Sequence, residues 1–330
     1  VEDLIRRILD LDPLAYEEFS QQFGPILLAS LLARRLPQAE AERLAAECVK
    51  ALLSRVAQYD PTASSLFDWV LAYAEECYEA LIRRLFALQA DLKWAADTQA
   101  AMLPPQRPRV AGLDVCFLHR PLRLVTGDFC ELMNAPEQTL IALGDASGKG
   151  ASAAIYSAVA GSRLRGLWGP KTQPLELLTQ LDAVLKASPI GTQYATLLVA
   201  RWHPQTRLLA LHAGAAPPPI LVRRGELTWL TVEGSALGHP IPPSFGSHEL
   251  ALFPADTLIL YSDGISDQPD SEGQPYGDFR LADTARRVAE LDIEEAASAI
   301  LADLDQYADG QPQHDDQMLL VARVHADLAV

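Results

Sequence analysis

Residues 104–108, Pro-Pro-Gln-Arg-Pro, divide the chain into two textures that no single class of secondary structure accommodates. Proline lacks the backbone N–H and clashes with the preceding turn, so a helix arriving there has to stop. Upstream the sequence is rich in Ala, Leu, Glu, Arg and Gln, the good helix formers, and poor in β-branched runs. Asp12-Pro13 opens one helix, Leu36-Pro37 and Asp60-Pro61 mark breaks, and the last helical stretch runs from about Leu66 to the proline cluster. Downstream come short apolar or alternating segments: 113–118, 139–143, 194–202, 208–212, 220–222, 258–261 and 318–324. Turn residues separate them, as in antiparallel hairpins and meanders. Helical patterns fill 151–167, 174–186, 281–289 and 293–308. The reading is an α+β chain. It has a helical regulatory domain at 1–85, a linker helix and Pro-rich hinge at 86–108, and a layered domain of antiparallel strands flanked by helices at 109–326.

Leu81, Leu85, Leu88, Leu92, Ala95, Gln99 and Met102 follow a 4-3 alternation in the linker stretch. That spacing lines one helix face with apolar side chains and predicts pairing with a second copy, a homodimer through the Leu81, Leu85, Leu88 and Leu92 seam. The other reading is a single amphipathic helix lying on its own domain. Composition narrows the partners. The 43 Asp and Glu against 27 Lys and Arg leave a net charge of −16, the opposite of the basic stripe that phosphate backbones require. The best apolar run, 24–33, is ten residues long, too short to span a bilayer. Four cysteines without a C-x-x-C pair fit reduced thiols, and the expected location is cytoplasmic.

In the second domain four segments set an aspartate where an apolar strand begins or ends. They are Thr126-Gly127-Asp128-Phe129, Gly144-Asp145-Ala146-Ser147-Gly148-Lys149-Gly150, Tyr261-Ser262-Asp263-Gly264 and His314-Asp315-Asp316. A carboxylate at a strand terminus is held rigidly yet reaches solvent, and a neighbouring glycine lets backbone approach closely. Four such acids brought together repel unless cations lie between them, and hard, oxygen-ligated Mg²⁺ or Mn²⁺ are the candidates. Each segment alone reads equally as a turn. Gly148-x-Gly150 before a helix has neither P-loop nor dinucleotide-binding spacing.

Taken in order, these segments resemble the SpoIIE-type (RsbU-like) branch of the PPM, protein phosphatase 2C-like, metal-dependent Ser/Thr phosphatases. The resemblance covers residues from about 95 to 324. It rests on Gln99–Pro104, Val125–Phe129, Leu143–Gly150, Ala213-Gly214 with Pro217–Pro219, Leu237-Gly238, Tyr261–Ile265 and Asp315-Asp316. It implies a β-sandwich of antiparallel sheets flanked by helices, with two or more Mn²⁺ or Mg²⁺ ions at one edge. By position it implies that Asp145 bridges the metals, that the Ala146 carbonyl adds a ligand, that Asp263 and Asp315 complete one ion and that Asp128 serves the other. These four aspartates are the catalytic set, and Glu131 and Asp316 are expected just outside the ligands. The implied reaction is hydrolysis of phosphoserine or phosphothreonine by metal-activated water, on a STAS-domain anti-sigma antagonist in bacterial partner switching. Four positions depart from the family pattern: Thr126 for a glycine and Glu131 for an aspartate around Asp128, Ala215 for a histidine, and Met318 for a threonine.

Residues 12–85 are similar to the second conserved region of bacterial sigma factors, through Asp12–Phe19, Ala41–Val56, Tyr59-Asp60-Pro61 and Phe67–Val70. The DNA-reading helix of that region would here carry Ala72-Tyr73-Ala74-Glu75-Glu76-Cys77-Tyr78-Glu79, and residues 1–90 have a net charge of −5. Carboxylates there repel phosphates. The resemblance therefore implies a regulatory module that touches a sensor or RNA polymerase and not DNA. The rival expectation for the whole chain is a non-catalytic, sigma-like adaptor with a degenerate phosphatase domain.

Overall fold

The computed structural model describes residues 1–188 and 193–326 and divides into two compact units, Val1–Asp91 and Leu92–Val330. The first is helical: α1 (Glu2–Leu9), α2 (Pro13–Ala33), α3 (Gln38–Arg55) and most of α4 (Leu66–Ala100). Asp12 caps α2 by accepting the Leu14 N–H at 3.0 Å, with Pro13 in the first turn where its missing N–H costs nothing. Phe19, Phe23, Leu27 and Leu31, four residues apart, bury one stripe of α2 against Ala41, Ala45, Cys48 and Leu52 of α3 and Leu66, Val70 and Ala74 of α4. Burial of each large side chain there contributes about 1.5–3 kcal/mol. Pro25 lies inside α2 on an exposed face and does not end it.

The second unit begins with β1 (Leu113–Arg120), β2 (Asp128–Ala135) and β3 (Gln138–Ala146), followed by α5 (Ala151–Leu167) and α6 (Pro174–Ala187). Then come β4 (Ala195–His203), β5 (Leu208–Gly214), β6 (Ile220–Arg223), β7 (Glu226–Trp229), β8 (Gly246–Ala251) and β9 (Thr257–Tyr261). The chain continues through the one-turn α7 (Asp263–Ser266), α8 (Gly277–Val288), α9 (Ile293–Ala308) and β10 (Gln317–Val324). Among the described residues the strands form two five-stranded antiparallel sheets, ordered β1-β10-β9-β6-β7 and β2-β3-β4-β5-β8.

Strand alternation distributes three cores. Cys130, Ile141, Leu143, Leu198 and Trp202 meet Phe117, Leu260, Met318 and Leu320 between the sheets. Their strand neighbours point outward: Ile259, Tyr261, Leu319 and Val321 pack on α8 and α9, while Leu140, Ala142, Leu197 and Val199 pack on α5 and α6. This is the sandwich of antiparallel sheets flanked by helices that the sequence leads one to expect.

The details differ in three places. Strands β2, β7 and β8 are absent from the apolar segments read in the sequence, because Asp128, Glu131, Asn134, His248 and Glu249 interrupt the pattern. The linker helix stops at Ala100, so Met102 falls in a turn beyond the expected seam. Gln99, placed on that seam, bonds within the second unit instead.

Candidate metal centre

Parity decides which acids converge. Asp128 and Asp145 are direct cross-strand partners of β2 and β3, so their side chains share a face. Two residues along, Cys130 and Leu143 belong to the core between the sheets, and Asp316 stands two residues before Met318 of that same core. All three carboxylates therefore project between the sheets at one end of the sandwich. Asp263 arrives by another route, as the first residue of α7 directly after β9. Its loop passes so close to the turn at 315–316 that a Cβ on Gly264 would lie 2.0 Å from the Asp316 carbonyl oxygen, so only glycine fits. A Cβ on Gly127 would likewise stand 3.1 Å from Asp145 Oδ1 and 3.0 Å from the Ala146 carbonyl.

The electrostatics are those of crowded, dehydrated carboxylates. Asp128 is 1% exposed, and neither of its carboxylate oxygens has a hydrogen-bond partner. Burial first, and then the charges of Asp145 and Asp316, push its pKa well above the usual range. Burial and then Asp263, Asp315 and Asp316 push Asp145 up to about 7. Asp263 is raised by burial and next by Asp267 and Asp315.

Asp316 and Asp315 divide the pair that the sequence left adjacent. Asp316 accepts the Leu122 N–H at 2.6 Å and the Gly127 N–H at 2.9 Å, one on each oxygen, and so ties the loop before β2 to the start of β10. Asp315 is half-exposed and pairs with Lys149 at 2.8 Å, whose ammonium also donates to the His314 carbonyl at 2.8 Å.

One expectation needs correction. Glu131 was expected beside the ligands, but it lies three positions from Asp128 along β2, hence on the other face, where it pairs with Arg165 of α5. Among the described residues no three His, Cys, Asp or Glu side chains stand in a ready-made metal-holding group. The donors nevertheless fit a hard divalent cation: two buried carboxylate oxygens without any partner, beside Asp145 and Asp263, whose charged forms are disfavoured too, are the oxygen set that such an ion satisfies.

Sequence reasoning passed over several neighbours. Ser262, 6% exposed, accepts the Met318 N–H at 2.9 Å and donates to the Asp316 carbonyl at 3.2 Å, locking β9 to β10 beside Asp263. His119 Nε2 lies 3.4 Å from Thr126 Oγ1, and burial lowers its pKa. Its signal was parity with Val115 and Phe117 on β1. Arg123, exposed, places Nη1 3.3 Å from where a Cβ on Gly150 would lie, next to the first turn of α5. A cation in a short loop five residues before Asp128 was the available signal. Met318, where the family commonly has a threonine, is fully buried between the sheets as an apolar packing residue.

The family model described as Stage II sporulation protein E (SpoIIE) matches residues 135–325, which include Asp145, Asp263, Asp315 and Asp316. A curated relative, phosphoserine phosphatase RsbU of Bacillus subtilis (strain 168), is 22% identical over 182 residues, 54% of each chain. The present chain thus spans about half the length of the relative it matches. Among solved structures, the SiaA-PP2C domain of Pseudomonas aeruginosa superposes with a TM-score of 0.65 at 23% identity, covering 73% of this chain and 98% of that one. The RsbU and RsbW domains of a Mycobacterium tuberculosis protein give 0.59 at 23% identity over 66% and 61% of the two chains. The PP2C phosphatase domain of Bacillus subtilis SpoIIE, with a fragment of its regulatory domain, gives 0.56 at 18% identity over 67% and 64%. These structural likenesses are likenesses of fold.

Proposed function

The chain belongs to the Stage II sporulation protein E (SpoIIE) family, and from that premise we propose that it is a divalent-cation-dependent phosphatase of phosphoserine and phosphothreonine in proteins. The observation that carries this reading is the pair of unpartnered Asp128 oxygens facing Asp145 at the end of the sandwich. Asp145, Asp128, Asp263, Asp315 and the Ala146 carbonyl would hold Mn²⁺ or Mg²⁺, with Asp316 anchoring the backbone around them. When bound, a pair of such ions supplies Lewis acidity, lowering the pKa of water and neutralising phosphoryl oxygens.

The chain's own residues supply orientation. Arg123 stands at the rim beside the first turn of α5 and would hold a phosphoryl oxygen from outside the acid cluster. Lys149 neutralises Asp315 at a contact that a cation would replace. Ser262 keeps the β9 and β10 ends in register, and Asp316, bonded to the Gly127 N–H before β2, ties the acids of one sheet to those of the other. The cavity beside Asp145 and Asp263 holds about 10 Å³, far below the roughly 300 Å³ at which pockets begin to enclose small molecules. A phosphoryl group presented on a protein surface, with no small molecule to enclose, suits so small a cavity.

The substrate in this reading is a phosphorylated STAS-domain anti-sigma antagonist, a choice supported by the likeness to RsbU. The helical unit regulates the site, and two copies pair through Leu81, Leu85, Leu88 and Leu92 of α4. Leu85 and Leu88 are 47% and 55% exposed in the single chain, which supports that pairing. The same helical unit is the surface for a sensor or RNA polymerase. A cytoplasmic location suits such partners, and among the described residues no helix is long and apolar enough to cross a membrane. The adaptor reading loses ground because a silent scaffold gains nothing from keeping buried, mutually repelling carboxylates at its strand ends.

Phosphate release from a phosphorylated STAS protein and from p-nitrophenyl phosphate, with and without Mn²⁺, tests the activity. Mn²⁺-stimulated release supports it, and no stimulated release from either compound sinks it. A Leu88→Glu, Leu92→Glu chain should sediment as a monomer. Unchanged sedimentation of that chain would end the seam proposal.

A further inference from the structure

The segment 99–104, Gln-Ala-Ala-Met-Leu-Pro, is left without a task by the acid cluster, yet its first residue makes two short side-chain contacts in the second unit. The Gln99 amide nitrogen donates to the Thr126 carbonyl at 2.7 Å, and its amide oxygen accepts the Thr126 N–H at 2.9 Å. One side chain thus satisfies both main-chain groups of a residue that is 2% exposed, as a neighbouring strand would. Thr126 passes the constraint on: its Oγ1 accepts the Asp128 N–H at 3.0 Å, and the Gly127 N–H between them is held by Asp316. Ser157 of α5 closes the cluster, its hydroxyl 3.4 Å from the Thr126 carbonyl.

We propose that Gln99 is a positioning residue for the cation site, holding the Thr126-Gly127 backbone so that the buried Asp128 carboxylate stays aimed at Asp145. It touches neither substrate nor cation and acts through Thr126. This makes the last turn of α4 part of the site, and it gives the departure from glycine at Thr126 a use, since glycine has no side chain to receive the Asp128 N–H. The geometry explains why the side chain must be glutamine. Asparagine is one methylene too short for both contacts, glutamate keeps the acceptor but turns the donor into a repulsion against the Thr126 carbonyl, and methionine keeps the length and loses both bonds.

The inference rests on the cation-dependent reading above, so its test reads cation binding without any phosphoester. Calorimetric titration of the full chain with Mn²⁺ alone compares wild type, Gln99→Met, Gln99→Glu and Thr126→Val with the conservative Thr126→Ser, each at a temperature where circular dichroism shows it folded. Loss of an outer partner of a metal ligand weakens binding by roughly 10–100-fold, and Gln99→Met and Thr126→Val should each fall in that range. Gln99→Glu should also weaken binding, and Thr126→Ser should bind as wild type does. The melting temperature of cation-free Gln99→Met should drop far less than its Mn²⁺-induced rise in melting temperature shrinks. Wild-type Mn²⁺ affinity in Gln99→Met, or weakened affinity in Thr126→Ser equal to that of Thr126→Val, would overturn the assignment. A wild-type chain that takes up no Mn²⁺ would overturn the cation-dependent reading itself, while normal Mn²⁺ uptake without phosphatase turnover would sink only the proposed activity.

Discussion

Strand β9 has a carboxylate at each end, and their surroundings are opposite. Asp256, just before the strand, is 3% exposed. Arg223 donates to it through Nε at 3.0 Å and Nη2 at 2.6 Å, and the Phe253 N–H donates at 2.8 Å. Asp263, just beyond the other end, sits among Asp128, Asp145, Asp315 and Asp316, with Lys149 the cation that faces the group. One end buries its charge at Asp256, and the other sets the exposed Asp263 beside the buried Asp128. At one end the chain supplies the compensating hydrogen bonds and positive charge, and at the other it withholds them. A buried acid that is satisfied belongs to the fold, whereas one left unsatisfied at the cost of stability marks a place where a ligand supplies what is missing.

Substitution at the two ends should give opposite results, and the largest effect is expected at the structural end. Asp256→Asn strands Arg223 and should lower unfolding free energy by about 3 kcal/mol in urea, with turnover per folded molecule unchanged. Asp128→Asn removes a charge that has no partner, so the cation-free protein should be as stable as wild type or more so. If Asp128→Asn proved the more destabilising of the two, the contrast between the ends would be wrong.

A smaller effect separates the two ends by pH. Burial and neighbouring acids raise the pKa of Asp128, and they raise Asp145 to about 7, above the unfolded value of roughly 3.9. The folded state therefore binds these protons more tightly than the unfolded chain does. Stability of the cation-free protein should fall as pH rises above about 4, with the Asp145 share of that fall complete above about pH 7. Saturating Mn²⁺ should remove the slope, as should the Asp128→Asn, Asp145→Asn pair, whereas Asp256→Asn should keep it. Thermal melts at several pH values would check this, and a slope unaffected by either the cation or the acid-cluster pair would refute it.

Much of this layout was legible from residues alone. The helices at 151–167 and 293–308 coincide with α5 and α9 because their apolar periodicity is unbroken. Strand β2 was hidden because its inward face begins with Asp128 and its outward face carries Glu131, polar positions that disguise a buried strand as a loop. The role of Glu131 was nevertheless decidable, since an odd separation from Asp128 along a strand forbids a shared face. The choice between Asp315 and Asp316 was not, because it depends on which carboxylate meets the Leu122 and Gly127 amides, nearly 200 residues away in the chain. Gln99 shows the same limit from the other side. Its spacing fits a helical seam, and only the folded chain brings it to Thr126 across 27 residues.

The central claim is that the acid end of the sandwich is a divalent-cation site that serves phosphoester hydrolysis. Mn²⁺-dependent phosphate release from p-nitrophenyl phosphate, measured side by side for wild type and Asp145→Asn at matched folded concentration, tests it most directly. The account predicts saturable Mn²⁺ stimulation in wild type and a loss of at least ~100-fold in Asp145→Asn, the scale expected when a preorganised charge-stabilising group is removed. Equal Mn²⁺-stimulated turnover in the two proteins would contradict it.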